Sequence, residues 1–264
     1  MSDFTRNEIQ RALLHGQSLN LGGADLSGLD LSNLIFRNTL FTKANLEGAN
    51  LLGCNLEKAD FQEANLQGAN LFGSNLEQTN FTQANLHRAN LRKANLQRAI
   101  LERADLHSVR LQGACLLQAN LSHAVLSNAD LQKVDLRFAI LKHTKFTSAI
   151  LHEVDFSEAK FEKNDMEQAW FSEVNLSKAC LEFVNMRGAA LFDVKLNGAK
   201  LMQADFLWAT LEEVDLSNAD LSFANFNYST LKSTLFTGAD MTLVDFDDVT
   251  LEDTVVKVFP RRIQ

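Results

Sequence analysis

The chain has 264 residues, 46% of them hydrophobic, a formal net charge of −8 and three cysteines. That length buries a sizeable core without staples, and so few cysteines exclude a disulfide-built scaffold. The acidic balance works against direct nucleic-acid binding, because phosphates are repelled at long range.

The start, Met1 through Arg6, is neither basic nor apolar, and no stretch is long and apolar enough to span a membrane. The expectation is a cytoplasmic protein with free thiols and no membrane association. Residues 1–18 read as an N-terminal cap containing a helix over about residues 5–15. Asp3 or Thr5 can start it, Ile9, Ala12 and Leu13 fall on one face, and Gly16 can end it.

From Leu21 to Leu251 every fifth residue is large and apolar: 47 consecutive positions holding 32 Leu, 12 Phe and 3 Met. Two residues earlier sits a small one, 27 of them Ala, with Asn164 the one strongly polar exception. A helix would scatter residues five apart around its axis, and a long strand would send them to alternate faces. The consistent solution turns a corner in every unit and keeps both residues inside. Ten of the twelve glycines lie two residues after the large position, where a tight turn wants positive φ.

The units Ala44-Asn45-Leu46, Ala64-Asn65-Leu66, Ala84-Asn85-Leu86 and Ala219-Asp220-Leu221 carry a family resemblance. Residues 19–253 resemble the pentapeptide-repeat family. The resemblance implies an all-β fold, a right-handed quadrilateral parallel β-helix with 20 residues per coil. That gives about twelve coils in a rod roughly 55 Å long at the usual strand spacing. The Asn and Asp before each Leu are expected to hydrogen-bond backbone at the corners.

Along the repeats, His87 with His107 and His123 with His143 are 20 apart and should stack outside the rod. A metal site wants a third ligand and supporting partners, which neither pair has, so no metal or cofactor is expected. Arg88, Arg92, Lys93, Arg98, Arg103 and Arg110 spread round the rod rather than forming a phosphate-tracking stripe. Asn164 is expected to satisfy its amide inside, on Thr144 or backbone carbonyls, with a local bulge as the alternative. A solid rod without insertion loops offers no cleft for catalysis, so no catalytic residue is assigned and a non-enzyme is expected.

The C-terminal coils differ. Phe183, Phe223 and Leu243 share one outward column, and Trp208 and Tyr228 another, with Leu207 alongside. Exposed aromatic groups mark contact surfaces, here for an unknown protein partner or a second copy of the chain. The alternative is that the tail, residues 254–264 with Val256, Val258 and Phe259, covers them. The same coils carry Asp205, Glu212, Glu213, Asp215, Asp220, Asp240, Asp245, Asp247, Asp248, Glu252 and Asp253 against Lys232 alone. Some pentapeptide-repeat proteins protect DNA gyrase from quinolones, and the resemblance implies that they do so as acidic rods imitating DNA. The expected function is a non-catalytic interaction scaffold. The alternative is a DNA-mimicking modulator of gyrase, weakened by charge confined to one end and by the lack of projecting loops.

Overall fold

The computed structural model describes residues 3–14 and 19–254. The chain opens with α1 (Arg6–Leu14), within the expected 5–15. Thr5 starts it. Its backbone N–H donates to Glu8 Oε2 at 2.7 Å and its hydroxyl oxygen accepts from the Glu8 N–H at 3.3 Å, a reciprocal cap. The Glu8 carboxyl is held below the ordinary range by the Thr5 backbone N–H and then by its hydroxyl. Asp3 does a different job. It docks on the first coil, its Oδ2 accepting from the Asp25 N–H at 2.7 Å. Ile9 is 1% exposed and closes this end of the core. Gly16 and the tail from Val255 onward, including Val256, Val258 and Phe259, lie outside the described residues.

One unit shows why five residues suffice. In Ala44–Gly48 the Ala44 N–H donates to Phe41 O within the chain, a turn bond of 2.9 Å. Asn45 N–H reaches back to Ala24 O, and the N–H groups of Leu46 and Gly48 reach forward to Asn65 O and Gln67 O. The remaining N–H, of Glu47, donates to the Asn45 side-chain oxygen at 3.3 Å. Every backbone donor of the unit has a partner, which a buried or half-buried backbone requires. The Asn and Asp residues therefore hydrogen-bond local backbone as expected. They also bond one another: Asn45, Asn65 and Asn85 each donate Nδ2 to the residue 20 earlier, at 3.0, 3.1 and 3.0 Å.

The 20-residue offset runs through parallel bridges from Asn20↔Leu40 to Asn225↔Asp245. Because a bridge recurs at every fifth residue, each coil has four sides. The first to fourth sides are those containing Leu21, Leu26, Leu31 and Phe36 and their 20-residue successors. The chain is a parallel β-solenoid. Its eight regular strands are β1 (Ile140–Lys142), β2 (Ile150–His152), β3 (Lys160–Glu162), β4 (Trp170–Ser172), β5 (Ala190–Phe192), β6 (Thr210–Glu212), β7 (Thr230–Lys232) and β8 (Thr250–Glu252). None begins with Asn or Asp, although Val125 with Lys145 and Cys180 with Lys200 lack them too and stay as single bridges. β1 pairs with β3 on the first side, while β2, β4, β5, β6, β7 and β8 form a six-stranded parallel sheet on the third. Regular strand thus stacks over six levels, fewer than the dozen coils anticipated; single bridges hold the rest.

The large residues meet on the axis. Phe206, Phe226 and Phe246 stack vertically with ring centroids 4.6 and 5.3 Å apart, and Phe41, Phe61 and Phe81 do the same at 4.5 and 5.1 Å. Small polar residues inside share one acceptor position. The hydroxyls of Ser74, Thr79 and Thr144 donate to the carbonyls of Leu51, Leu56 and Leu121, each 23 residues earlier. Asn164 obeys the same rule. Its amide donates to Leu141 O and, at 3.2 Å, to Thr144 O, while its oxygen accepts from the Glu162 N–H.

Candidate functional site

The last residue of each unit turns the corner, and its φ is near +60° whether or not it is glycine. No β-branched residue occupies this position in the repeats, since positive φ crowds a branched Cβ. Phe183, Trp208, Phe223, Tyr228 and Leu243 all stand here, with φ between 53° and 61°. The corner geometry projects them outward, and all five are exposed, Trp208 by 59%. By register the two columns bound the second side of the rod. Phe183 and Phe223 are separated by Gln203, so that column is interrupted. The other is continuous: the Trp208 and Tyr228 rings lie 6.4 Å apart. Arg187 lays its guanidinium 5.4 Å from the Trp208 ring centre and is held there by Asp205 at 3.1 Å.

Leu207 differs from its neighbours. It follows the inward Phe206 directly, is only half-exposed, and its N–H is bound by Asp205 Oδ1 at 3.0 Å. A further aromatic group escaped the sequence reading. Trp170 and Phe192 meet at 4.8 Å on the third side, with exposed Ile150 one level below Trp170. The signal was present in the 20-residue register, as Ile150, Trp170 and a partner two residues beyond the next level.

The eleven acidic residues do not share one face. By register Asp220 and Asp240 fall on the first side, Asp205, Asp245, Asp247 and Asp248 on the second, Glu212, Glu213, Glu252 and Asp253 on the third, and Asp215 on the fourth. Several have structural partners. Asp205, Asp215, Asp220 and Asp240 accept the N–H two residues on, and Glu212 pairs with Lys232 at 2.6 Å. The result is an acidic end rather than an acidic stripe.

The histidine pairs stack as expected, with centroids 5.1 Å apart for His87–His107 and 4.8 Å for His123–His143. Among the described residues no group of three His, Cys, Asp or Glu could hold a metal, and no helix is long and apolar enough to cross a membrane. Cys54 donates its thiol to Leu31 O, and burial pushes it up to about 11, so it is unreactive at neutral pH. Cys180 is exposed.

The expectation of a rod without clefts is wrong at one level. Successive coils part along the first side and loosen on the fourth, where the Asp155↔Asn175 bridge remains, leaving an open cleft of about 520 Å³ between residues 156–161 and 175–180. A smaller hollow of about 290 Å³, which also touches Ser157 and Asn175, adjoins it beside Glu153 and Glu173. The register would have Glu158 and Phe161 donate to the next coil and Cys180 donate back; among the described residues none of these bonds forms, and Lys160 and Cys180 make no bridge with each other. The second side stays closed, with Met166 N–H to Asn185 O at 2.7 Å, and so does the third, through β4 and β5. The cause is volume. This coil fills its four large inward positions with Phe156, Phe161, Met166 and Phe171, whereas the next uses Leu176, Leu181, Met186 and Leu191. The Phe156 ring lies 6.3 Å from Phe146 and 5.3 Å from Phe161, and overfilling a packed core moves backbone. A coil with no Leu was legible in the sequence.

A repeat pattern described as pentapeptide repeats matches in eight copies, from residues 20–57 through 215–253. No curated protein matches the chain. Among solved structures the chain is similar to HetL, a pentapeptide repeat protein involved in heterocyst differentiation regulation in the cyanobacterium Nostoc sp. strain PCC 7120. The two are 28% identical over 94% of each chain, with a TM-score of 0.48. It is also similar to QnrB1, a plasmid-mediated fluoroquinolone resistance protein, at 21% identity over 85% of this chain and 90% of that one, TM-score 0.29. A third is a pentapeptide repeat protein of the Arabidopsis thaliana thylakoid lumen, 25% identical over 44% of this chain and 70% of its own, TM-score 0.21. The fold rests on the register and the repeat match, not on these superpositions.

Proposed function

The chain belongs to the pentapeptide-repeat family, and from that premise we propose that it is a non-catalytic protein–protein interaction scaffold. Its contact surface is the pair of corner columns on the C-terminal coils, and a second copy of the chain is the partner to test first. One observation carries this reading: large apolar side chains occupy exposed corner positions where glycine would serve the turn better. At φ near +60° glycine is the conformationally favoured residue, by about 1 kcal/mol or more. Phe183, Trp208, Phe223, Tyr228 and Leu243 therefore work against local stability while leaving apolar area in water. Trp and Tyr are also the residue types that dominate interface energies.

Light scattering on size-exclusion eluates of wild type and of Trp208→Ala/Tyr228→Ala is the test. A dimeric wild type converted to monomer by the double substitution supports the self-contact; a wild type that elutes as a monomer at all concentrations removes it. A second reading, modulation of gyrase by DNA mimicry, is favoured by the acidic C-terminal end. It would need those charges to stand in for phosphates on two sides of the rod. Unchanged gyrase supercoiling at large molar excess of the protein eliminates it.

A further inference from the structure

We infer that the parted coil is a binding site for an extended peptide segment of a partner protein, taken up as an added parallel strand. On the first side the lower lip is the unpaired edge of β3. The N–H groups of Glu158 and Phe161 and the carbonyl of Ala159 are those the register would commit to the next coil, and those bonds are missing, while the Asp155↔Asn175 bridge holds the start of the lip. Every other ladder in the rod is parallel, so a strand joining this edge runs the same way. Main-chain bonds then supply affinity and side-chain pockets supply selectivity. Phe156, Phe161 and Leu176 line the cleft and offer an apolar seat for one bulky side chain.

Charge sets the sequence of the guest. Following the chain, the cleft and its adjoining hollow begin at Glu153, Asp155 and Glu173 and end at Lys160 and Lys178. Glu153 is matched by Lys133 at 3.2 Å and His152 at 2.9 Å, and Asp155 by Arg137 at 3.7 Å. Glu173 makes no ion pair among the described residues and is the open acidic group; Glu158 tempers the basic end. A parallel guest is therefore basic at its N-terminal end, aromatic or aliphatic in the middle and acidic at its C-terminal end.

The probe is a labelled synthetic heptapeptide, Arg-Arg-Val-Phe-Val-Glu-Glu, followed by fluorescence anisotropy with the full chain. Controls are the peptide with reversed charge order and a backbone N-methylated version. Wild type should bind the ordered peptide about tenfold more tightly than either control, because alignment and main-chain donors are both required. Phe156→Leu/Phe161→Leu should close the cleft and lose binding. If that variant does not fold, Glu173→Lys on the exposed rim should weaken the ordered peptide instead. Bound peptide should also slow alkylation of Cys180. Trp208→Ala/Tyr228→Ala should bind as wild type, which separates this site from the corner columns. Equal affinity for all three peptides, undiminished binding by a folded Phe156→Leu/Phe161→Leu, or unaltered Cys180 alkylation would each overturn the assignment.

Discussion

The Asn ladder is a chain of donors with a direction. Asn65 donates Nδ2 to Asn45 Oδ1 at 3.1 Å, while its own oxygen accepts from Gln67 N–H at 3.2 Å and Asn85 Nδ2 at 3.0 Å. Asp can only accept when ionised, so it suits the lower end of a ladder, where Asp25 and Asp30 stand beneath Asn45 and Asn50. Asn65→Asp keeps the turn but sets two acceptors face to face. It should cost about 1–3 kcal/mol at neutral pH, and acidification to protonate the carboxyl should narrow the gap in melting temperature. The native carboxyls behave oppositely. Asp25, Asp30 and Asp240 are held below the ordinary range by hydrogen bonds from the hydroxyl and then the N–H of Ser27, Ser32 and Thr242. A depressed folded-state value stabilises above the unfolded value and is lost as pH falls through the folded one. Thermal unfolding followed by circular dichroism should therefore hold steady from pH 7 to 5 and decline below about pH 4, the ordinary carboxylate range.

At the scale of one coil, inward position two before the large residue is a slot with a fixed acceptor. Thr144 and Thr234 reach the carbonyl 23 residues earlier with a hydroxyl, at 2.8 and 3.2 Å. Asn164 reaches its counterpart, Leu141 O, with an amide. Asn164→Thr should accordingly be tolerated within about 1 kcal/mol, whereas Asn164→Ala removes the side-chain acceptor of the Glu162 N–H and should cost about 1–3 kcal/mol. Similar melting temperatures for the two variants would contradict this account. The capping helix was legible because Thr5, Glu8 and Ile9 form a local signal. The strands were not, since whether a unit bends or extends depends on what it faces on the next coil. Leu40 and Ile100 lack Asn or Asp, as the strands do, yet stay as single bridges between neighbours that carry Asn or Asp.

In a stacked rod each coil is stabilised chiefly by its neighbours, so a weak junction divides the whole. The parted level between residues 156–161 and 175–180 is such a junction. Amide exchange should be fastest, within the rod, at Glu158, Phe161 and Cys180, and slow at Phe206 and Phe226, whose donors are bonded at 2.7 and 2.8 Å. Uniform protection across these positions would refute the division. The sequence alone determined the five-residue unit, the four-sided stacking, the inward Leu and Phe ladders and the outward corner columns, because each follows from a period that admits one consistent winding. Only the tertiary structure decided which units straighten into strand, that the acidic residues encircle the end of the rod, and that an overfilled coil parts from the next. Those outcomes depend on volumes and hydrogen bonds between residues about 20 apart, where packing against a particular neighbour outweighs the local pattern.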